Sequence, residues 1–295
     1  MKKVVLFVLQ MLYVSLGNAQ VYKGVLITEQ KGVPVEYANV GIIGKNVGTT
    51  SNMYGQFELK IPTEYLRDSI RFSMIGYKPI TLLVSDFINR NNDTLLMKEK
   101  IYPINEVVIT PIGKSVILGN RKVKVKKGLL EAEVVLGSCK IEKGFELGIT
   151  LDPKRKKTLL EKISLYVAFE FTILENGVPV SCKSLNQNTI LYRLNLYNIK
   201  SKNDFENFLI QPIYLKSKVN NNNSFVLLEF DISEYQIVIE NESLLTLEYF
   251  TDVSAAMGIA SSFKGSASYI RKTSQGDWKN MNTSLGVTVK AKIMN

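Results

Sequence analysis

Residues 48–57, GTTSNMYGQF, separate two short apolar segments and decide how the first part of the chain is interpreted. The segment that follows, Phe57–Ile61, alternates apolar and polar side chains, which is the two-residue period of a half-buried strand. Asn52 and Gly55 are residue types that adopt positive φ where a chain reverses. A phosphate-binding loop would instead place its glycines at the start of a helix. The stretch therefore predicts a hairpin-like connection between two β-strands.

Short strands separated by turn residues are predicted throughout residues 20–110. Apolar and polar residues alternate within them, and Gly32, Pro34 and Gly76 interrupt the pattern. Strands at this spacing are typical of a β-sandwich. The predicted strands are Val21–Thr28, Tyr37–Gly44, Gly55–Ile61, Ser69–Ile75, Tyr77–Val84, Asp93–Lys98 and Ile104–Thr110.

Four motifs in this segment follow one another in a recognisable order. They are GV at 24–25, GVPVEYANV at 32–40, GTTSNMYGQF at 48–57 and SMIGY at 73–77. Together they resemble the carboxypeptidase-regulatory-like domain, which implies a small transthyretin-like β-sandwich that is not itself catalytic. Asn52 stands where the family usually has Asp, so a cation held by that acid is not expected here. NEVVIT at 105–110 resembles the segment that joins this domain to the next in exported proteins of the Bacteroidetes type.

The remainder of the chain is also predicted to be all-β. Residues 111–127 are interpreted as a connector that becomes a strand, and residues 128–295 as a second β-sandwich of jelly-roll type in tandem with the first. VNNNNSF at 219–225 predicts a hairpin turn. The predicted strands are Phe145–Leu151, Leu159–Leu174 (two strands or one bent strand), Thr189–Tyr197, Ile213–Val219, Phe225–Phe230, Tyr235–Ile239, Leu244–Phe250 and Leu285–Ile293.

The first nineteen residues have the layout of a secretory signal peptide. Lys2 and Lys3 precede an apolar run at Val4–Leu16, and small residues follow at Gly17–Ala19. The run is short for a membrane span, although a retained membrane anchor is the alternative. We therefore expect an exported chain with no transmembrane span after signal cleavage, located in the periplasm or at the cell surface in association with the outer membrane.

The composition argues against most catalytic sites. The chain contains no histidine, which excludes histidine-based zinc sites and serine–histidine or cysteine–histidine catalysis. Paired carboxylates remain available, and Glu229, Asp231, Glu240, Glu242 and Glu248 are candidates at predicted strand ends or turns. Most acids of this kind are solvated surface residues. We therefore expect no enzyme activity, no cofactor and no metal.

The net charge of +10 is spread along the chain, with its densest parts at residues 121–127 and 154–157. Removal of Lys2 and Lys3 with the signal would leave +8. The basic run at 121–127 alternates with valine, which suits a strand with lysines on its wet face. We therefore expect no nucleic-acid partner.

Cys139 and Cys182 are the two cysteines of the chain. In an oxidising compartment they could form a disulfide, and two buried free thiols are the alternative. Two cysteines alone do not make a structural zinc site.

Two aromatic residues are candidates for ligand contact. Trp278 lies in the polar stretch SQGDWKN at 274–280, and Tyr269 ends the Gly- and Ser-rich stretch 261–269 just before it. A tryptophan on a loop stacks on sugars or anchors partners, although it more often closes the edge of its own core. Our leading hypothesis is a non-enzymatic exported interaction or surface-assembly protein with an unidentified protein or glycan partner in the cell envelope. The alternative is a carbohydrate-binding accessory protein of a glycan-uptake system.

Overall fold

The computed structural model describes residues 19–100, 113–126, 129–132, 134–139, 141–175, 177–183, 189–218, 225–250 and 257–294. The predicted signal peptide, the predicted strand Ile104–Thr110 and the joining segment 105–110 lie outside the described residues, apart from Ala19. In the described part of the chain, no helix combines the length and the apolar character that crossing a bilayer requires.

The first unit is a β-sandwich of two small sheets. One sheet has the strand order β4-β1-β7 and the other β3-β2-β5-β6. A short helix, α1 (Val84–Ile88), and a 3-10 turn at Thr63–Tyr65 connect strands. The strands are β1 (Ala19–Thr28), β2 (Asn39–Ile42), β3 (Gly48–Thr50), β4 (Gln56–Pro62), β5 (Ser69–Ser73), β6 (Ile80–Leu83) and β7 (Thr94–Met97).

The core of the first unit follows from the alternation seen in the sequence. On β4, Phe57, Leu59 and Ile61 are buried, whereas the residues between them are exposed. On β5, Ile70 and Phe72 point inward, so Arg71 and Ser73 lie on the outer face of that sheet. The inner side chains of both sheets form one apolar cluster. The outer face of the four-stranded sheet is therefore polar.

The second unit packs two larger sheets face to face. Its strands are β8 (Ser115–Gly119), β9 (Lys124–Lys126), β10 (Leu129–Glu131), β11 (Val134–Ser138), β12 (Phe145–Leu151), β13 (Thr158–Ala168), β14 (Glu170–Glu175), β15 (Val178–Lys183), β16 (Thr189–Ser201), β17 (Asp204–Asn207), β18 (Ile213–Lys218), β19 (Phe225–Asp231), β20 (Val238–Ile239), β21 (Ser243–Tyr249), β22 (Met257–Ser262), β23 (Ser268–Arg271), β24 (Lys279–Met281), β25 (Ser284–Leu285) and β26 (Val287–Ile293). A 3-10 turn spans Ser233–Tyr235. The chain is thus nearly all-β, as predicted, with two sandwich units in tandem.

The two sheets of the second unit enclose its main core. One sheet runs β11-β22-β13-β26-β8, with β19, β20 and β25 attached, and the other runs β17-β16-β21-β12-β23-β24, with β18 attached. Hairpins β9–β10 and β14–β15 stand beside them. Apolar side chains from both sheets form a single buried cluster. We call the sheet that contains β16, β21 and β12 the central sheet.

The central sheet is buried on both faces. Every residue of β12 and β21 is buried, although only alternate residues face the apolar core. On β16, Tyr192, Leu194 and Leu196 face that core, so Arg193 and Asn195 lie on the opposite face. A sheet whose second face is both polar and buried must be covered by something else, and the first unit supplies part of that cover.

Two local predictions, both of hairpins, are wrong. The stretch 51–55 is not a hairpin, because β3 pairs with β2 and β4 pairs with β1 in the other sheet. The strands on either side of 219–224, β18 and β19, do not form the second predicted hairpin, because β18 pairs with β16 and β19 with β13, in different sheets. Residues 219–224 themselves lie outside the described residues. Ser115–Gly119 lies in the segment interpreted as a connector that becomes a strand, and it pairs with β26 as an edge strand.

The predicted positive φ is found at only one of the two residues proposed for it. Gly55 has φ of 72°, as expected for a glycine in a reversal. Asn52 does not take positive φ and instead accepts hydrogen bonds at Oδ1 from the backbone N–H of Tyr54 (2.9 Å) and Gln56 (3.0 Å). This Asx turn stabilises the same reversal by a side-chain contact.

Candidate functional site

A row of four buried charges crosses the outer face of the central sheet. The strand register places Arg193 opposite Glu248, Glu248 opposite Glu146, and Glu146 opposite Arg271. Both glutamates are fully buried and both arginines nearly so. Two acids and two bases in one row cancel in charge, which is the condition under which buried ions are tolerated.

Hydrogen bonds join the four charges into one network. Glu248 Oε2 accepts from Arg193 Nε (2.9 Å) and Nη2 (2.8 Å), and also from Asn195 Nδ2 (2.8 Å). Asn195 Nδ2 also donates to Glu146 Oε1 at 2.9 Å, so this amide bridges the two carboxylates. Glu146 further accepts from Tyr197 OH (2.8 Å), from Thr246 Oγ1 and from Arg271 Nη2. Three of the four carboxylate oxygens are therefore occupied as acceptors, whereas Glu248 Oε1 is buried without a donor among the described residues.

The ionisation states follow from these contacts. Burial disfavours the charged form of Arg193, but Glu248, Tyr214 and Glu146 outweigh it, and the pKa of Arg193 is raised. Burial likewise opposes the charge of Arg271, yet Glu146 foremost raises the pKa of that guanidinium. Burial and Glu146 together raise the pKa of Tyr197 well above its ordinary value, so Tyr197 remains a neutral donor. Both arginines are thus permanent cations.

Arg193 also reaches across to the first unit. Its Nη1 donates to the backbone oxygen of Tyr37 at 2.5 Å and contacts Met74 Sδ at 3.2 Å. The ring of Tyr37 packs against Phe250 (centroids 4.6 Å apart) and Tyr214 (6.0 Å). One side chain therefore belongs both to the buried charge row and to the junction between the units.

A second contact joins the units through residues 272–277 of the second unit. Ser274 Oγ donates to Asn39 Oδ1 (2.7 Å), and Gln275 Nε2 donates to Ser73 Oγ (2.8 Å). A Cβ on Gly41 or Gly48 would overlap the backbone oxygen of Ser274. Gly48 is therefore required for close approach between the units, a role that the sequence pattern alone does not reveal.

A polar cleft of about 610 Å³ lies between the units beside these contacts. Asn39, Arg71 and Ser73 line it from the first unit. Asn195, Tyr197 and Arg271 line it from the second unit. The cleft is thus the gap between two outward-facing polar sheet surfaces, and it exists only while the two units are held together.

Two arginines of the cleft keep hydrogen-bond donors unused. Among the described residues, the Arg71 side chain has no hydrogen-bond or ion-pair partner, and its Nε is buried without an acceptor. Arg271 is bound to Glu146 through Nη2, but its Nε also lacks an acceptor there. Arg271 is 8 % exposed, and its guanidinium lies 4.7 Å from the Trp278 ring, which fixes its position. Unused donors on fixed cations favour an anionic ligand.

Comparison with known families bears on the first unit. A model of the CarboxypepD_reg-like domain matches residues 22–109. The first unit is a carboxypeptidase-regulatory-like domain. No curated protein matches the chain. Domains of this kind are non-catalytic, and the cleft is formed where this unit meets the second unit.

Trp278 does not lie on an exposed loop as the sequence suggested. It is 8 % exposed, and its ring meets Tyr197 (5.7 Å) and Phe205 (5.4 Å) edge-on. This burial corresponds to the alternative named from the sequence, in which the tryptophan closes the edge of its own core. Asp277, Lys279 and Asn280 beside it are exposed, while the indole closes the edge of the central sheet and stacks on Arg271.

Tyr269 and the stretch before it also differ from the expectation. Tyr269 is half-buried on β23, with its ring 5.0 Å from Phe205. The Gly- and Ser-rich stretch 261–269 contributes residues to β22 and β23 at its two ends. Neither Trp278 nor Tyr269 lines the cleft between the regulatory-like domain and the second unit.

Cys139 and Cys182 are joined in a disulfide, with Cα atoms 4.8 Å apart. The bond closes a loop over a sequence separation of 43 residues. Cys182 packs with Ala168 and Phe171 in a small apolar cluster. The bond ties β15 to the end of β11 and lies apart from the cleft lining.

The candidate acids are placed differently from one another. Glu229 is exposed and pairs with Lys162 at 2.8 Å, which together with Ser164 lowers its pKa. Glu248, expected at a strand end and in solvent, is instead fully buried within β21. Its network partners Glu146 and Arg193 were not identified from the sequence. Within the described residues, no group of three or more acids or cysteines forms a metal-binding cluster.

Proposed function

We propose that this chain is a non-enzymatic exported protein of the cell envelope that binds a partner in the cleft between its two units. The observation that carries the proposal is the cleft itself, which has about 610 Å³ and is lined by polar side chains of both units. Ligand sites commonly form where two domains meet, at volumes of roughly 300–1,000 Å³. Two acids, Asp204 and Glu206, line the cleft, and Glu206 is paired with Lys200 at 2.9 Å, so the described lining holds no pair of unpaired carboxylates for proton transfer.

The junction supports a binding role because it holds the cleft walls in place. Arg193, the ring of Tyr37 and the segment 272–277 fix the regulatory-like domain against the second unit at separate points. A preformed site loses little conformational entropy when a partner binds. Export is supported by the signal-peptide pattern at residues 1–19 and by the disulfide, since disulfides persist in oxidising compartments.

Localisation tests this proposal most directly. Cells that produce the chain would be fractionated, and intact cells would be treated with protease before immunoblotting. We expect a mature chain that begins at Gln20 in the envelope fraction. A chain that retains residues 1–19 and remains in the cytoplasm would refute export, and with it the proposed function.

Carbohydrate binding is the second candidate, and the composition of the cleft favours it. Amides and hydroxyls, the groups that bind sugar hydroxyls, line the cleft together with the rings of Tyr77, Tyr197 and Phe205. The burial of Trp278 removes the residue first considered for this role, but the cleft supplies another surface. A glycan array probed with the mature protein tests the hypothesis, and absence of binding to every glycan would remove it.

A further inference from the structure

We propose that the cleft takes an acidic sugar, a saccharide whose ring carries a carboxylate or sulfate group, and that Arg71 and Arg271 bind the oxyanion. The proposal rests on the carbohydrate-binding candidate above and specifies its ligand class. It starts from the charge of the lining, where Arg71, Lys100, Arg193, Lys200 and Arg271 face only Asp204 and Glu206.

Most of these lining charges are already matched by partners. Arg193 is paired with Glu248, Arg271 with Glu146, and Lys200 with Glu206 at 2.9 Å. Arg71 is different, since no hydrogen bond or ion pair of its side chain is found within the described chain. A half-buried guanidinium loses part of its hydration, and no described carboxylate compensates its charge. An anion in the cleft would form the missing ion pair.

Arg271 presents the second set of donors from the opposite wall. More than nine-tenths of the residue is buried, its Nη2 is held by Glu146 and its face lies on Trp278. The guanidinium is therefore fixed before any ligand arrives, and Arg271 lines the cleft as a cation on the wall opposite Arg71. Guanidinium groups match carboxylate and sulfate oxygens in geometry as well as in charge.

The remainder of the lining favours a sugar as the carrier of that anion. Asn39, Ser73, Asn207 and Gln275 offer amide and hydroxyl groups around the two arginines. Tyr77 and Phe205 add apolar faces on which a sugar ring packs. A simple inorganic anion would use the arginines and leave these groups without a role.

The test uses isothermal titration calorimetry on the mature protein with four probes: digalacturonate, a sulfated disaccharide, lactose and inorganic sulfate. We expect at least one acidic disaccharide to bind tenfold or more tightly than lactose and than sulfate. Equal binding of lactose would overturn the anion requirement. Equal binding of sulfate would show an adventitious ion only and would overturn the requirement for a sugar. No binding of either acidic disaccharide would overturn the proposal as a whole.

A matched pair of variants assigns the binding to the cleft. Arg71→Gln removes the unpaired guanidinium and should weaken binding of the acidic disaccharide at least tenfold. Arg67→Gln makes the same change at an exposed arginine outside the cleft and should leave affinity unchanged. Equal affinity of wild type and Arg71→Gln for the acidic disaccharide would contradict binding through Arg71 in the cleft. Far-ultraviolet circular dichroism and thermal melting of both variants confirm that the fold is retained.

These outcomes are separable from failure of the proposed function. If acidic sugars do not bind while the mature chain is still found in the envelope, only the ligand class is wrong. If neutral sugars bind and acidic sugars have no advantage, the carbohydrate candidate stands and the oxyanion site does not.

Discussion

At the scale of single residues, Arg193 has the largest consequences for the structure. It neutralises Glu248 within a region that water does not reach, and it donates to the Tyr37 carbonyl of the regulatory-like domain. Removing one partner of a buried ion pair leaves the other charge desolvated and unpaired, which costs far more than loss of a surface pair. Arg193 thus contributes both to the stability of the second unit and to the position of the regulatory-like domain.

We expect Arg193→Met to lower the free energy of unfolding by about 3–5 kcal/mol, because Glu248 would remain buried without its cation. Urea denaturation followed by circular dichroism measures the change. Lys162→Met is the control, since it breaks the exposed pair with Glu229 (2.8 Å), where the expected loss is about 0–1 kcal/mol. Equal losses of unfolding free energy in the two variants would show that the buried ion pair contributes no more to stability than the exposed one.

At the scale of elements, the strand pattern was predictable and the partners of the strands were not. Phe57, Leu59 and Ile61 alternate with polar residues, and that local pattern correctly predicts β4. The stretch 51–55 was assigned to a hairpin because nothing local distinguishes a turn within a sheet from a crossing between sheets. Trp278 was considered as an exposed ligand contact because its sequence neighbours are polar, whereas Tyr197 and Phe205, which bury it, are distant in sequence.

The contact of β3 with residues 272–277 gives a prediction for Gly48. We expect Gly48→Ala to destabilise the protein by roughly 1–3 kcal/mol, because its Cβ would overlap the Ser274 backbone and push the units apart. Chemical denaturation measures the loss, and Thr49→Ala on the same strand is the comparison. A Gly48→Ala protein as stable as the Thr49→Ala protein would contradict this close approach.

The disulfide between Cys139 and Cys182 gives a prediction for the second unit. We expect the double substitution Cys139→Ser with Cys182→Ser to lower the unfolding free energy by about 3–4 kcal/mol, as a loop of this length implies. Denaturation of the oxidised wild type and of the variant gives the difference. Thiol titration of the denatured, secreted wild type provides an independent check, and two reactive thiols would contradict the bond.

At the scale of the whole molecule, the account depends on how the two units meet. The sequence indicated two all-β units and the family of the first, since each of those properties is carried by local patterns. The cleft was not predictable, because its walls come from Arg71, Asn195 and Arg271, which only the tertiary fold brings together. Arg193, Glu248 and Glu146 look like ordinary polar positions of three strands until the strand register places them side by side.

The central claim is that the regulatory-like domain and the second unit form one rigid body around the cleft, and small-angle X-ray scattering of the mature protein tests it most directly. The account predicts that a single conformer, with Arg193 bound to Tyr37 and Ser274 to Asn39, reproduces the measured profile. A profile that requires an ensemble of separated, independently oriented domains would contradict it.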